Sequence, residues 1–178
     1  MTELTVHPEL ATHTEKMSKN IYKISDNVYH TLGYGLANVT MVIGYHGVII
    51  IYTMEDVDSA REILAEFRKF TDKPVKAILY THNHIDHIGG VKAFTSDEDV
   101  RSRRVTIYAH EKLLENVINF SSTIGPIINR RSSYFAGSYL EKGSEGFVNL
   151  GIGPFIGTGL RTFIVPNKTF GVRNRIKL

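Results

Sequence analysis

The succession of hydrophobic periods along the chain predicts an α/β fold, a mixed sheet with helices laid on it. Three observations predict it. Short β-rich runs separated by turn residues occupy residues 21–52. The period then switches to that of a helix over 57–67 and back to a strand over 75–80. That last strand runs directly into a dense cluster of histidines at 82–87.

Residues 1–20 are polar and read as a loose amino-terminal arm. Strands are expected at 21–24, 28–32, 38–43 and 48–52, with Asp26-Asn27, residues 33–35 and Tyr45-His46-Gly47 as the intervening turns. Val48-Ile49-Ile50-Ile51 is a continuous β-branched run, the pattern of a strand buried on both faces. Val57, Ala60, Ile63, Leu64 and Phe67 then recur at helical spacing, with Asp56 or Asp58 placed to cap the helix. Pro74 precedes the strand at 75–80. A short helix is expected at 89–95, a strand at 105–109 and a helix at 111–119. Residues 121–160 are rich in Gly and Ser and weakly periodic. They read as a long ordered loop region in which Ile124, Ile127, Ile128, Tyr134, Phe135 and Phe147 require burial. There are no repeats and no low-complexity segments.

A chain of 178 residues supplies one domain with a sizeable core. Apolar residues make up 42% and charged residues 22%, values of a globular protein rather than a disordered one. The net charge of +3 is mild, and no Lys/Arg stripe with interleaved aromatics points to nucleic acid. Arg101, Arg103 and Arg104 read as a solvated loop. With no cysteine, disulfides and thiolate metal sites are excluded, so any metal must take His, Asp or Glu. The longest apolar stretch, 39–54, is interrupted by Gly44, His46 and Gly47 and is too short to span a membrane. Residues 1–20 hold no apolar secretory segment, so the default expectation is cytoplasmic.

The chemistry is concentrated in Thr-His-Asn-His-Ile-Asp-His-Ile-Gly-Gly, residues 81–90. His82 and His84 follow a strand two residues apart, where side chains point the same way and can grip one cation together. Asp86 and His87, in the turn beyond, are free to aim at a second. Imidazole nitrogens and carboxylate oxygens are ligands for zinc. Gly89-Gly90 lets the backbone turn tightly after them. The remaining histidines, His7, His13, His30, His46 and His110, are isolated and read as ordinary polar residues.

The HxHxDH pattern resembles the first metal-binding loop of the metallo-β-lactamase superfamily. Residues 35–40 (Gly-Leu-Ala-Asn-Val-Thr), 73–78 (Lys-Pro-Val-Lys-Ala-Ile), Arg130-Arg131-Ser-Ser-Tyr134 and 143–154, ending Asn-Leu-Gly-Ile-Gly-Pro, resemble its alkylsulfatase branch. The resemblance covers roughly residues 21–170 and sets 171–178 apart as a basic tail. It implies the first half of an αββα sandwich and two zinc ions per site, His82 and His84 on one, Asp86 and His87 on the other. It also implies hydrolysis of a small-molecule alkyl sulfate ester by a metal-bound hydroxide, which Asp86 orients. Asn38, Arg130, Arg131 and Tyr134 are then candidates for the substrate pocket, since a guanidinium fork suits a sulfate oxyanion.

Two departures accompany the resemblance. Where the family places Asp-Thr before the long helix this chain has Tyr52-Thr53, so the carboxylate that braces the metal loop is missing unless Glu55 or Asp56 replaces it. The resemblance also fades after Phe170, before the family's remaining ligands, which leaves two protein ligands per zinc and one sheet face without its covering layer. The expectation is a truncated product. Three readings follow: a zinc-dependent sulfatase, a catalytically inactive fragment that associates with itself or another chain through the open sheet face, and a thioester or lactam hydrolase of the same superfamily.

Overall fold

The computed structural model describes residues 6–172 and shows the layered α/β arrangement. Seven strands form one sheet in sequential order: β1 (Asn20–Ser25), β2 (Val28–Leu32), β3 (Thr40–Ile43), β4 (Val48–Ile51), β5 (Val75–Leu79), β6 (Thr106–His110) and β7 (Lys168–Phe170). β1 to β4 are an antiparallel meander, and β5, β6 and β7 each join in parallel. The change of direction falls where helix α2 (Val57–Phe67) crosses between β4 and β5, as a parallel connection requires.

The pairing register shows how the sheet is used. Tyr29, Met41, Ile50, Ile78 and Ile107 are successive cross-strand partners, and all are buried. α2 lays Val57, Ala60, Ile63 and Phe67 into the same core. The next row, His30, Thr40, Ile51, Leu79 and Tyr108, is only half-buried throughout. The first row is thus fully buried and the second partly so. This corrects the expectation that 48–51 is buried on both faces: Val48 and Ile50 are, while Ile49 and Ile51 are half-exposed. A continuous β-branched run reports strand propensity whether or not a second layer is present.

α2 owes its position to two local features. Asp56 caps it, accepting from the Ser59 N–H at 2.8 Å, which satisfies one of the orphan amides of the first turn. Its apolar stripe ends on Phe67, 1% exposed. Phe67→Ala is expected to cost about 3–5 kcal/mol, read as a lowered midpoint in denaturant unfolding; a loss under a third of that would mean the ring is not part of the main core.

Several expectations need correction. Over its described residues the amino-terminal arm is not loose: α1 (Pro8–His13) and a 3-10 turn (Thr14–Met17) follow a His7 cap. They are held by the Asn149 amide, which donates to the Leu10 carbonyl and to Thr14 Oγ1. Residues 1–5 of the arm, and the basic tail beyond Val172, lie outside the described residues. The helix expected at 89–95 is only a 3-10 turn (Val91–Ala93), and a one-turn helix, α3 (Ile85–Ile88), stands before it inside the histidine cluster, with Gly89-Gly90 between the two. A short helix, α4 (Asp97–Arg101), capped by Ser96, precedes the arginines of 101–104. The expected helix at 111–119 is α5 (Leu113–Asn119).

The largest correction falls on 121–160. A π-helical turn (Phe120–Ile124) leads into α6 (Gly125–Phe135), eleven residues long. Pro126 at the first turn starts it without losing a needed N–H. Ile124, Ile127, Tyr134 and Phe135 are exposed, Phe135 at 95%, while Ile128 and Phe147 are half-buried. Apolar character alone does not place a residue inside when no layer is there to receive it.

Candidate metal centre

β5 delivers the site. Tyr80, at its carboxyl end, is buried and donates to the Ile164 carbonyl, and burial pushes its phenol well above the usual value. The chain then leaves the sheet, and His82, His84, Asp86 and His87 follow within six residues. His82 and His84 lie on the loop, with His84 at the amino end of α3, where its side chain makes no cap. Asp86 and His87 ride on α3 itself, rather than in an irregular turn.

The four side chains form a contact cluster. The His82 ring lies 4.7 Å from that of His84 and 4.2 Å from that of His87, between centroids. The Asp86 carboxylate meets His87 Nε2 at 3.1 Å. Thr81 Oγ1 lies 3.0 Å from His82 Nδ1. The Phe120 ring stands 5.5 Å from His84, and the Asn83 amide donates to the Asn116 carbonyl, so the end of α5 and the turn after it wall one side. His84 is exposed and the other three are half-buried, a cluster open to solvent on one flank.

The charges are arranged for a cation. Burial lowers the affinity of His82 for a proton, and the neighbouring His87 and His84 lower it further, so the ring favours its neutral, ligating form. Burial pushes the Asp86 carboxyl up, but the hydrogen bond from His87 and the positive potential of His87 and His84 outweigh it and hold Asp86 below the usual carboxylate range. His87 Nδ1 is buried with no partner.

Beneath the cluster the backbone is tied down from several directions. The Thr53 N–H donates to the His87 carbonyl at 2.8 Å and the Gly90 N–H to the Met54 carbonyl at 3.0 Å. Thr162 donates to the Gly89 carbonyl through both its N–H and its hydroxyl. A Cβ on Gly89 would strike the Glu55 carbonyl, and one on Gly90 the carbonyls of Thr53 and Asp56, which is why two glycines close the motif.

Tyr52 takes the place of the expected brace. Its ring packs 4.8 Å from that of His87, and its backbone is left-handed, φ 66°, an uncommon state for an aromatic residue. Neither acidic neighbour replaces the missing carboxylate. Glu55 Oε1 accepts from the N–H groups of Leu36 and Gly157, while Asp56 caps α2 and accepts from Gly159.

The donor set fits zinc: three imidazoles and an ionised carboxylate in mutual contact, with an orphaned imidazole nitrogen among them. Among the described residues, however, no group of three or more His, Cys, Asp or Glu side chains is arranged to hold one metal ion. Arg130 and Arg131 are exposed on α6, Tyr134 packs edge-on against Tyr139, and Asn38 is half-buried in the loop before β3. Sequence reasoning missed Phe120, Asn83 and Thr162, because their contacts with the motif span 33 to 73 positions and leave no local pattern.

Comparison with known proteins gives the family of the chain. The sequence model of the metallo-beta-lactamase superfamily matches residues 32–161. A linear primary-alkylsulfatase of Pseudomonas sp. (strain ATCC 19151) is 51% identical over 130 residues, 73% of this chain and 25% of that protein. An alkyl/aryl-sulfatase of Saccharomyces cerevisiae is 36% identical over 164 residues, 91% of this chain and 25% of its own. The solved structure of the stereoselective inverting sec-alkylsulfatase Pisa1 from Pseudomonas sp. superposes with a TM-score of 0.84 at 25% identity, covering 96% of this chain and 27% of that one. The chain thus spans about a quarter of the length of the relatives it matches.

Proposed function

Because the chain belongs to the metallo-β-lactamase superfamily, we propose that it carries the zinc-binding loop of an alkyl sulfate ester hydrolase. The observation that carries the reading is the contact cluster of His82, His84, Asp86 and His87 at the carboxyl end of β5. Its similarity to alkylsulfatases at up to 51% identity supports the substrate class, a small-molecule sulfate ester.

In this reading His82 and His84 hold one zinc ion and Asp86 with His87 the other. Bound zinc supplies an acidified water and stabilises negative charge on sulfate oxygens. The chain's own part is to keep the His82 imidazole neutral, to keep Asp86 ionised, and to fix the loop against Thr53, Met54 and Thr162. Asp86 also orients the attacking water. Asn38, Arg130, Arg131 and Tyr134 recognise the sulfate, the two arginines through paired hydrogen bonds. Among the described residues no helix is long and apolar enough to cross a membrane.

A second reading rests on the lack, among the described residues, of a three-ligand group and on the half-buried sheet row: an inactive chain that retains the fold and associates through that sheet face. Zinc per chain in gel-filtered protein, followed by a panel of a primary alkyl sulfate, S-lactoylglutathione and a chromogenic cephalosporin, separates the readings. Sulfate release that disappears on chelation and returns with zinc is the expected result. Thioester or lactam cleavage in its place would reassign the substrate, and an association-prone chain without zinc would establish the second reading.

A further inference from the structure

We infer that Glu55 is a positioning residue for the metal-binding loop: its buried carboxylate ties two distant loops to the segment on which residues 87–90 rest. This rests on the function proposed above for its consequence, zinc binding, but not for its geometry.

Glu55 is fully buried. A carboxylate in such a place is costly unless its oxygens are satisfied, and here one oxygen does all the bonding. Oε1 accepts from Leu36 N–H at 3.0 Å and Gly157 N–H at 2.9 Å, while Oε2 is buried without a partner. The two amides belong to loops 121 positions apart, before β3 and after α6, and neither loop has a regular element to hold it there.

What Glu55 holds matters because of where it sits. Tyr52 and Met54 are both left-handed, φ 66° and 64°, at a cost on the order of 1–2 kcal/mol each. Such a segment persists only when its surroundings over-determine it. The alternation turns the Thr53 N–H and the Met54 carbonyl toward the metal loop, where they meet the His87 carbonyl and the Gly90 N–H. Glu55 pins the next residue from the opposite side. Its partner strand of chain, 157–162, completes the circuit: Asp56 accepts from Gly159, Val57 donates to Leu160, and Thr162 grips the Gly89 carbonyl. Removing the Glu55 side chain orphans two loop amides and frees both anchors of the metal loop at once.

The test is amide hydrogen exchange in the metal-free protein, with zinc affinity as a second readout. In Glu55→Ala the amides of Thr53 and Gly90 are expected to exchange at least tenfold faster, while those of Ile78 and Ile107 in the sheet keep their protection. Zinc affinity falls in parallel. Glu55→Gln, which keeps the Oε1 acceptor, restores both. Thr162→Val weakens the far end of the circuit without touching Glu55, since it removes the hydroxyl bond to the Gly89 carbonyl and leaves the N–H bond, and it speeds exchange at Lys92, whose N–H bonds to the Thr162 hydroxyl, and at Gly90. This second variant decides the matter should Glu55→Ala not fold. Unchanged exchange at Thr53 and Gly90 in a folded Glu55→Ala, or a Glu55→Gln as damaged as the alanine variant, overturns the inference. A wild-type chain that takes up no zinc overturns the proposed function alone, since the exchange result stands by itself.

Discussion

Zinc binding is expected to tighten about 10- to 100-fold when Tyr52 is replaced by aspartate. Two defects in the present site meet at that residue. Tyr52 holds a left-handed backbone, which aspartate adopts far more readily than an aromatic side chain. Its ring also packs against His87, whose Nδ1 is buried without a partner, a loss on the order of 1–3 kcal/mol. A carboxylate at position 52 accepts from that nitrogen, fixes the imidazole tautomer and raises the basicity of the ligating nitrogen. Competition against a chromogenic chelator measures the change. Tyr52→Asn supplies an acceptor without charge and is expected to fall between the two. Equal affinity in wild-type and Tyr52→Asp protein would show that the residue at position 52 does not limit the metal.

The motif, the strand that delivers it and the capped helix before it were legible because each is written locally: a period of two, a period of 3.6, and four ligating side chains in six residues. The missing brace was legible for the same reason, as a tyrosine beside Thr53. What Glu55 and Asp56 do was not, since their partners Leu36, Gly157 and Gly159 are far away in sequence. Nor was α6: Arg130-Arg131-Ser-Ser inside it carries no apolar stripe, and its start is set by Pro126 and the turn before it. The burial expected of Tyr134 and Phe135 failed because hydrophobicity predicts a wish for cover, not the presence of a layer to provide it. The row from His30 to Tyr108 is half-buried rather than fully covered.

Asp86 carries the second large effect. Asp86→Asn is expected to lower zinc-dependent hydrolysis of an alkyl sulfate by about 10²–10⁴-fold, the range for a positioned acid–base group. The substitution keeps the shape but removes the charge that faces His87 Nε2 at 3.1 Å, so it weakens one ion and the orientation of water together. The pH dependence identifies the cause. His87 and His84 hold the Asp86 carboxyl below its ordinary range against the opposing push of burial, so it is already ionised throughout pH 5–8, roughly the interval in which imidazoles titrate. Asp86→Asn therefore lowers the activity plateau without changing the shape of the profile across that interval. In the metal-free protein the sign is equally fixed. A depressed folded pKa means stability present above the unfolded value and lost as pH falls through the folded one, so the asparagine variant loses that acid-labile contribution. Steady-state kinetics at saturating zinc, run across that pH range, checks both points. Wild-type rates in Asp86→Asn, or a plateau restored simply by raising the pH, would remove Asp86 from the reacting centre and leave it a structural neighbour of His87.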